Sequence, residues 1–177
     1  MNLSSLFGGA TEFALQLPTG DRVRVSAHGS QVLHWSVDDG DELLYLSPDA
    51  SIEEGQAIRG GIPICWPQFN TRGPLPKHGF ARNATWRLHG QDDTSLLLEL
   101  TPDDLSDEMR AAWPHQVQPR QKIDLAPGQL TVTLDVSNQG QTPFDFTTAL
   151  HSYLRVADVA QVQLAGLERT TVWDTQP

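Results

Sequence analysis

Short runs in which apolar and polar residues alternate constrain this chain more than any other feature of its sequence. Arg22-Val23-Arg24-Val25 is the plainest, and residues 31–37, 95–100 and 129–136 read the same way. A period of two puts one set of side chains on a buried face and the other in water, which is the pattern of a half-buried strand. The runs are separated by turn-forming clusters such as Pro18-Thr19-Gly20-Asp21, Asp38-Asp39-Gly40-Asp41 and Ala126-Pro127-Gly128. Residues 159–164 (VAQVQL) are expected to form a further strand. One segment, 103–113 (DDLSDEMRAAW), reads as a helix: carboxylates occupy its first turn, and Met109, Ala112 and Trp113 fall near one face. Many short strands with almost no helix predict an all-β protein, an antiparallel β-sandwich forming a single domain over residues 1–177.

The balance of charge narrows the partners. Lys and Arg number 12 against 22 Asp and Glu, a net charge of −10, so a general nucleic-acid or anionic-membrane surface is not expected. Hydrophobic residues at 38% provide for a core, and charged residues at 19% are too few for a disordered chain. The single cysteine, Cys65, excludes an intrachain disulfide framework and a multi-cysteine zinc site. Flanked by Ile64 and Trp66, it reads as a small buried hydrophobe rather than a nucleophile. Residues 1–17 lack a basic region followed by a long apolar run, and no stretch is apolar enough to span a membrane, so a cytoplasmic protein is expected.

Against this acidic background one stretch stands apart. Between Glu54 and Asp92 there is no carboxylate, while Arg59, Arg72, Lys77, Arg82 and Arg87 all fall there. The same stretch contains Gly60, Gly61, Pro63, Pro67, Gly73, Pro74, Pro76 and Gly79, together with Trp66, Phe69, Phe80 and Trp86. Such a loop is shaped by its prolines and aromatics, and its cations focus a positive field. Arginine offers paired planar donors to a phosphate or carboxylate and lysine a point charge, so the composition points to an anion site. The small number of cations suits one phosphate on a small molecule better than a polyanion.

Of the six histidines, His34 and His89 lie in strand-like runs and His28 and His115 beside turns, and these four read as structural. His78 lies inside the basic loop, between Lys77 and Gly79. His151 follows the run 144–150 and precedes Tyr153 and Arg155, a placement suited to a cleft. Histidine, with an ordinary pKa near ~6.5, is a natural proton carrier. Serine-hydrolase elbow, zinc-protease, phosphate-loop and dinucleotide-binding motifs are absent from the sequence.

Three blocks carry a resemblance. Residues 59–69 (RGGIPICWPQF) with 73–86 (GPLPKHGFARNATW) resemble the signature of the glucose-6-phosphate 1-epimerases, hexose-6-phosphate mutarotases of the aldose 1-epimerase (galactose mutarotase-like) superfamily. Residues 149–156 (ALHSYLRV) are similar to that family's His-Thr-Tyr-Phe block, with Ser152 for Thr and Leu154 for Phe. Residues 166–174 (GLERTTVWD) are similar to the segment closing on its substrate-contacting aspartate.

The resemblance implies a β-sandwich of the galactose mutarotase-like type, and interconversion of the α and β anomers of a hexose 6-phosphate without cofactor or metal. It implies that His151 is the general acid on the ring oxygen and that His78 binds and polarises the sugar. Arg59 and Arg82 match the substrate-binding arginines and Asp174 the sugar-contacting aspartate, while Lys77 stands where the family often has Gln. The family's general base is a glutamate close to its C-terminus, beyond the matched stretch. The chain is therefore expected to be a sandwich incomplete at its C-terminus, the N-terminal part of a longer domain. On its own it is expected to be inactive, and its exposed strand edges to favour self-association. Two other readings stay open at this stage: a non-catalytic sugar-phosphate-binding module, and an epimerase for unphosphorylated aldoses.

Overall fold

A computed structural model describes residues 11–51, 53 and 55–171. Among these residues, nine strands form three antiparallel sheets. Strands β1 (Glu12–Gln16), β2 (Arg22–Ser26) and β3 (Gln31–Ser36) make the first, in sequence order. Strands β5 (Arg87–Gln91), β6 (Ser95–Glu99), β7 (Val117–Ala126) and β8 (Gln129–Asn138) make the second, again a meander. The third is a small pair, β4 (Ile64–Cys65) with β9 (Ala149–Leu150), and it joins the basic loop to a segment far along the chain, Ile64 opposite Leu150, 86 residues on.

The alternation read from the sequence is the alternation of burial. Val23 and Val25 are fully buried on β2, and Leu96 and Leu98 on β6, while Arg22 and Arg24, and Ser95, Leu97 and Glu99, are more open. On β7, Val117, Ile123 and Leu125 point inward. Both larger sheets contribute to one contiguous apolar cluster, which also takes in Trp66, Phe80 and Trp86 from the basic loop. Strand β8 lays Leu130, Val132, Leu134 and Val136 against that cluster but leaves them half-buried. Two turns are tied together across the layers: the Gly128 amide donates to Asp21 Oδ1 at 2.7 Å, and Thr19 Oγ1 donates to Asp21 Oδ2 at 2.5 Å. These hydrogen bonds hold the Asp21 carboxyl below its usual range.

The structure corrects two expectations. Residues 103–113 do not form one helix. A 3₁₀ turn at Pro102–Asp104 is closed by reciprocal Thr101–Asp104 hydrogen bonds, and α1 (Asp107–Ala112) starts afresh with the Ser106 hydroxyl accepting from the Met109 amide. Two cap residues within the segment divide it, because each gives the orphaned amides of a helix start a local acceptor. Residues 159–164 do not form a strand. The Asp158 side chain accepts from the Ala160 amide and turns Val159–Gln161 into a 3₁₀ helix, leaving Val159 and Leu164 exposed. Among the described residues, no helix is long and apolar enough to cross a membrane.

Candidate active site

The basic loop is folded back on itself by the Trp66 carbonyl, which accepts from the amides of both Phe80 and Ala81 at 3.1 Å. Gly79 passes beside it with φ +68°, and a Cβ there would lie 2.3 Å from that same carbonyl oxygen, so only glycine fits. His78, immediately before it, holds φ +72°, a region non-glycine residues rarely occupy. Its amide donates to the Asn70 carbonyl at 2.9 Å. Gln68, almost fully buried, shapes the intervening bend: its amide nitrogen donates to the carbonyls of Asn70 and Leu75, and its oxygen accepts from the Leu75 amide.

A second segment is stitched onto this loop. Thr147 donates its amide to the Pro67 carbonyl and accepts from the Phe69 amide, Thr148 Oγ1 donates to the Cys65 carbonyl, and the His151 amide donates to the Pro63 carbonyl at 2.9 Å. The consequence is that the imidazoles of His78 and His151 stand edge to face, ring centroids 5.8 Å apart at 90°. His78 is buried and tilted against Phe69; His151 is exposed and stacks on Tyr153 at 4.9 Å.

The two rings differ in what they can do. Burial, with the positive charges of Arg82, His151 and Lys77 added, pushes the His78 pKa down to about 4. Its Nδ1 accepts from the Asn70 amide at 3.3 Å, which leaves the proton of the neutral ring on Nε2. His78 is thus a neutral hydrogen-bond donor, while His151 presents an open imidazole to solvent.

Of the cations, Arg82 and Lys77 lie close enough to act on His78 electrostatically. Arg82 is half-buried, donates through a terminal nitrogen to the Lys77 carbonyl at 3.1 Å, and keeps its Nε buried without a hydrogen-bond partner among the described residues. Lys77 is exposed. Arg59 lines a different hollow, with Ser47, Asp49 and Gln56, whose walls include neither His78 nor His151. Its flanking carbonyls are held by the fully buried Gln31, whose amide nitrogen donates to Ile58 and Gly60. Asp174 lies outside the described residues. Cys65 is buried, and burial raises its thiol pKa against the opposing pull of Arg82, so it remains a thiol packed in the core. The remaining histidines are engaged elsewhere: His28 with the Gln56 carbonyl, His34 with Glu42, His89 with Glu99, and His115 against Trp113.

The sequence profile of the family described as Aldose 1-epimerase matches residues 12–177. The chain belongs to that family. Among the curated relatives of this aldose 1-epimerase family chain is a protein of Cenchrus ciliaris described as "Putative glucose-6-phosphate 1-epimerase". It is 39% identical over 155 residues, which are 80% of this chain and 46% of that protein. A protein of the same description from Escherichia coli K12 is 37% identical over 145 residues, 78% of this chain and 47% of that protein. A crystal structure of a "putative mutarotase" from Salmonella typhimurium superposes with a TM-score of 0.72 at 32% identity, covering 85% of this chain and 50% of that one. The fold recurs in a galactose mutarotase related enzyme of Lactobacillus acidophilus, with a TM-score of 0.70 at 17% identity, 86% of this chain and 52% of that one. The all-β, galactose mutarotase-like architecture read from the sequence is therefore the fold of this chain, which spans about half the length of the curated relatives it matches.

Sequence reasoning missed the supporting residues. Tyr153 stands two positions after His151, and in an extended segment that spacing alone places both on one side. Nothing comparable pointed to Gln68 and Asn70, which close the bend between them and His78, or to Thr147, which reaches Phe69 across 78 residues of chain.

His78 carries a pH dependence whose sign is fixed. Its folded-state pKa, about 4, lies below the ordinary ~6.5, so the unfolded chain takes up a proton more readily and acid favours unfolding. The neutral ring's contribution is complete above pH ~6.5 and is lost as pH falls toward 4, up to about 3 kcal/mol in all. Urea midpoints measured across this interval should fall more steeply for the native chain than for His78→Asn. Parallel curves would show that the ring is not held neutral by its surroundings.

Proposed function

We propose that this chain carries the acid side of a site that interconverts the α and β anomers of a hexose 6-phosphate. The observation that carries the reading is the pair of imidazoles in edge-to-face contact, with Arg82 and Lys77 beside them. The family described as Aldose 1-epimerase and the relatives named for glucose 6-phosphate support it.

In the proposed step a base takes the proton of the anomeric hydroxyl while His151 delivers one to the ring oxygen. The C1–O5 bond breaks and its electron pair stays on oxygen; C1 becomes a carbonyl carbon. Rotation about C1–C2 and the reverse transfers give the other anomer. Each proton transfer contributes on the order of 10²–10⁴-fold. The neutral His78 donates from Nε2 to a sugar oxygen, and being neutral it does not compete for the proton that His151 moves. Arg82 and Lys77 hold the 6-phosphate, with Asp174 as a further contact to the sugar, while Arg59 lines a separate hollow. Remote binding of this kind orients the reacting centre without touching it. The base is proposed to come from the part of the family's length that this chain does not span, so the 177-residue chain by itself binds the phosphosugar and does not turn it over.

A second reading, a non-catalytic sugar-phosphate-binding module, draws on the same coverage of about half the relatives' length. Calorimetric titration and NMR anomer equilibration on the isolated chain address both. Glucose 6-phosphate should bind more tightly than glucose, with no acceleration of the α–β equilibration; equilibration at enzymatic rates would refute a base supplied from outside the chain. Arg82→Ala should weaken glucose 6-phosphate binding roughly tenfold to a hundredfold and glucose binding far less, as loss of a charged hydrogen bond requires. Equal losses would remove the phosphate role. In a protein of full family length with this sequence as its first half, His151→Asn should lower the equilibration rate by ~10²-fold or more with affinity largely kept. An unchanged rate would remove His151 as the acid.

A further inference from the structure

Strand β8 ends the second sheet, and among the described residues it pairs with β7 alone. Its ten residues run opposite β7 in unbroken register, from Gln129 opposite Ala126 to Asn138 opposite Val117. The other end of the same sheet is built differently. There β5 has five residues, is bulged between Leu88 and Gly90, and bears Arg87 and His89. In the first sheet, β1 is equally short and bears Glu12. Short length, bulges and charge are the means by which an edge strand escapes pairing with another chain. Strand β8 is long and regular, and its sequence, QLTVTLDVSN, holds no lysine, arginine or proline and one carboxylate, Asp135.

The ladder itself shows which backbone groups are left open. The Gln139 amide donates to the Gln116 carbonyl at 2.8 Å, extending the pairing of β7 and β8 by one hydrogen-bonded pair. Such pairs recur at every second residue of an antiparallel ladder, so Gln129, Thr131, Thr133, Asp135 and Ser137 bond to β7. The amides and carbonyls of Leu130, Val132, Leu134 and Val136 therefore face the open edge. The side chains of these same residues lie on the core side of the sheet and stay half-buried, while Thr131, Thr133 and Asp135 are exposed on its outer side. The strand is its own complement. Turned end for end about Thr133 and laid beside itself, it sets Leu130 opposite Val136 and Val132 opposite Leu134, each a hydrogen-bonded pair with apolar side chains on one face. On the outer face Thr133 meets Thr133 and Asp135 meets Thr131, so no carboxylate opposes its own copy.

We propose that β8 is a dimerisation edge, on which a second copy of this chain docks by antiparallel pairing of β8 with β8 about a twofold axis at Thr133. The two four-stranded sheets become one continuous sheet, and the apolar rows of the two copies run on into one another. Strand pairing over residues 130–136 alone buries less than the roughly 1,200–2,000 Å² of a standard interface, so the dimer forms at high concentration and parts on dilution. The inference is independent of the epimerase reading.

Sedimentation equilibrium and amide hydrogen exchange on the full chain test this pairing. From micromolar to millimolar concentration the mass should rise from one copy to two and stop there, because a twofold pairing uses the β8 edge of both copies. The amides of Leu130, Val132, Leu134 and Val136 should gain protection with concentration, and that of Thr133, already bonded to β7, should not. Thr133→Glu and Thr133→Lys, at an exposed position, each set like charges opposite one another on the axis. Both should weaken the dimer, roughly twofold to fivefold. The two changes move the net charge in opposite directions, so opposite effects on association would show a general charge response and overturn the pairing. Thr131→Lys, set opposite Asp135 in both halves of the dimer, should tighten it by at least as much. A mass of one copy throughout, assembly beyond two copies, or protection of those edge amides at every dilution would each overturn the proposal; the last would mean that a segment of the chain itself covers the edge.

Discussion

The structure around the two histidines depends on one close approach, the passage of Gly79 over the Trp66 carbonyl. Two amides converge on that oxygen, and the space beside it excludes even a methyl group. Because the oxygen is satisfied from the following residues, Trp66 can bury its whole ring in the core while its backbone serves as the anchor of a loop. His78 takes its unusual backbone conformation from this anchor, and its ring is pressed against Phe69 rather than released to solvent. The loop could not be held this way by side-chain packing alone, since most of its cations remain near water.

Burial and neighbouring cations act on the His78 ring, while the His151 ring stays open to solvent. Burial disfavours an imidazolium at His78, and the positive charges of Arg82, His151 and Lys77 add to the effect. A buried neutral ring and an exposed one thus stand in contact, a difference that identical side chains acquire only from their surroundings. The chain as a whole is acidic, so the local positive field is a property of this loop and not of the protein surface at large.

What could be read in advance follows from the range of the forces involved. Strands β2, β3, β6 and β8 were legible because alternation is a local signal, and His78 and His151 because the basic loop and the family blocks are contiguous in sequence. Where two local preferences competed, reading failed: Ser106 and Asp158 each offered the backbone a side-chain acceptor that outweighed the periodicity around them. Gln31 and Thr147 escaped notice because their partners, the Ile58 and Gly60 carbonyls and the Phe69 amide, are distant in sequence, and Gln68 because its partners are arranged only once the bend has folded. Arg59 shares a motif with Arg82, yet the backbone carries it to a different hollow.

The tie between Asp21 and Gly128 joins positions 107 residues apart. Closing so long a span of chain is entropically expensive, and the cost is met only after the hairpins on either side exist to hold both turns rigid. The tie is therefore a late event in assembly and a sensitive gauge of it: protection of the Gly128 amide against hydrogen exchange marks the moment when the first sheet and the second have become a single body.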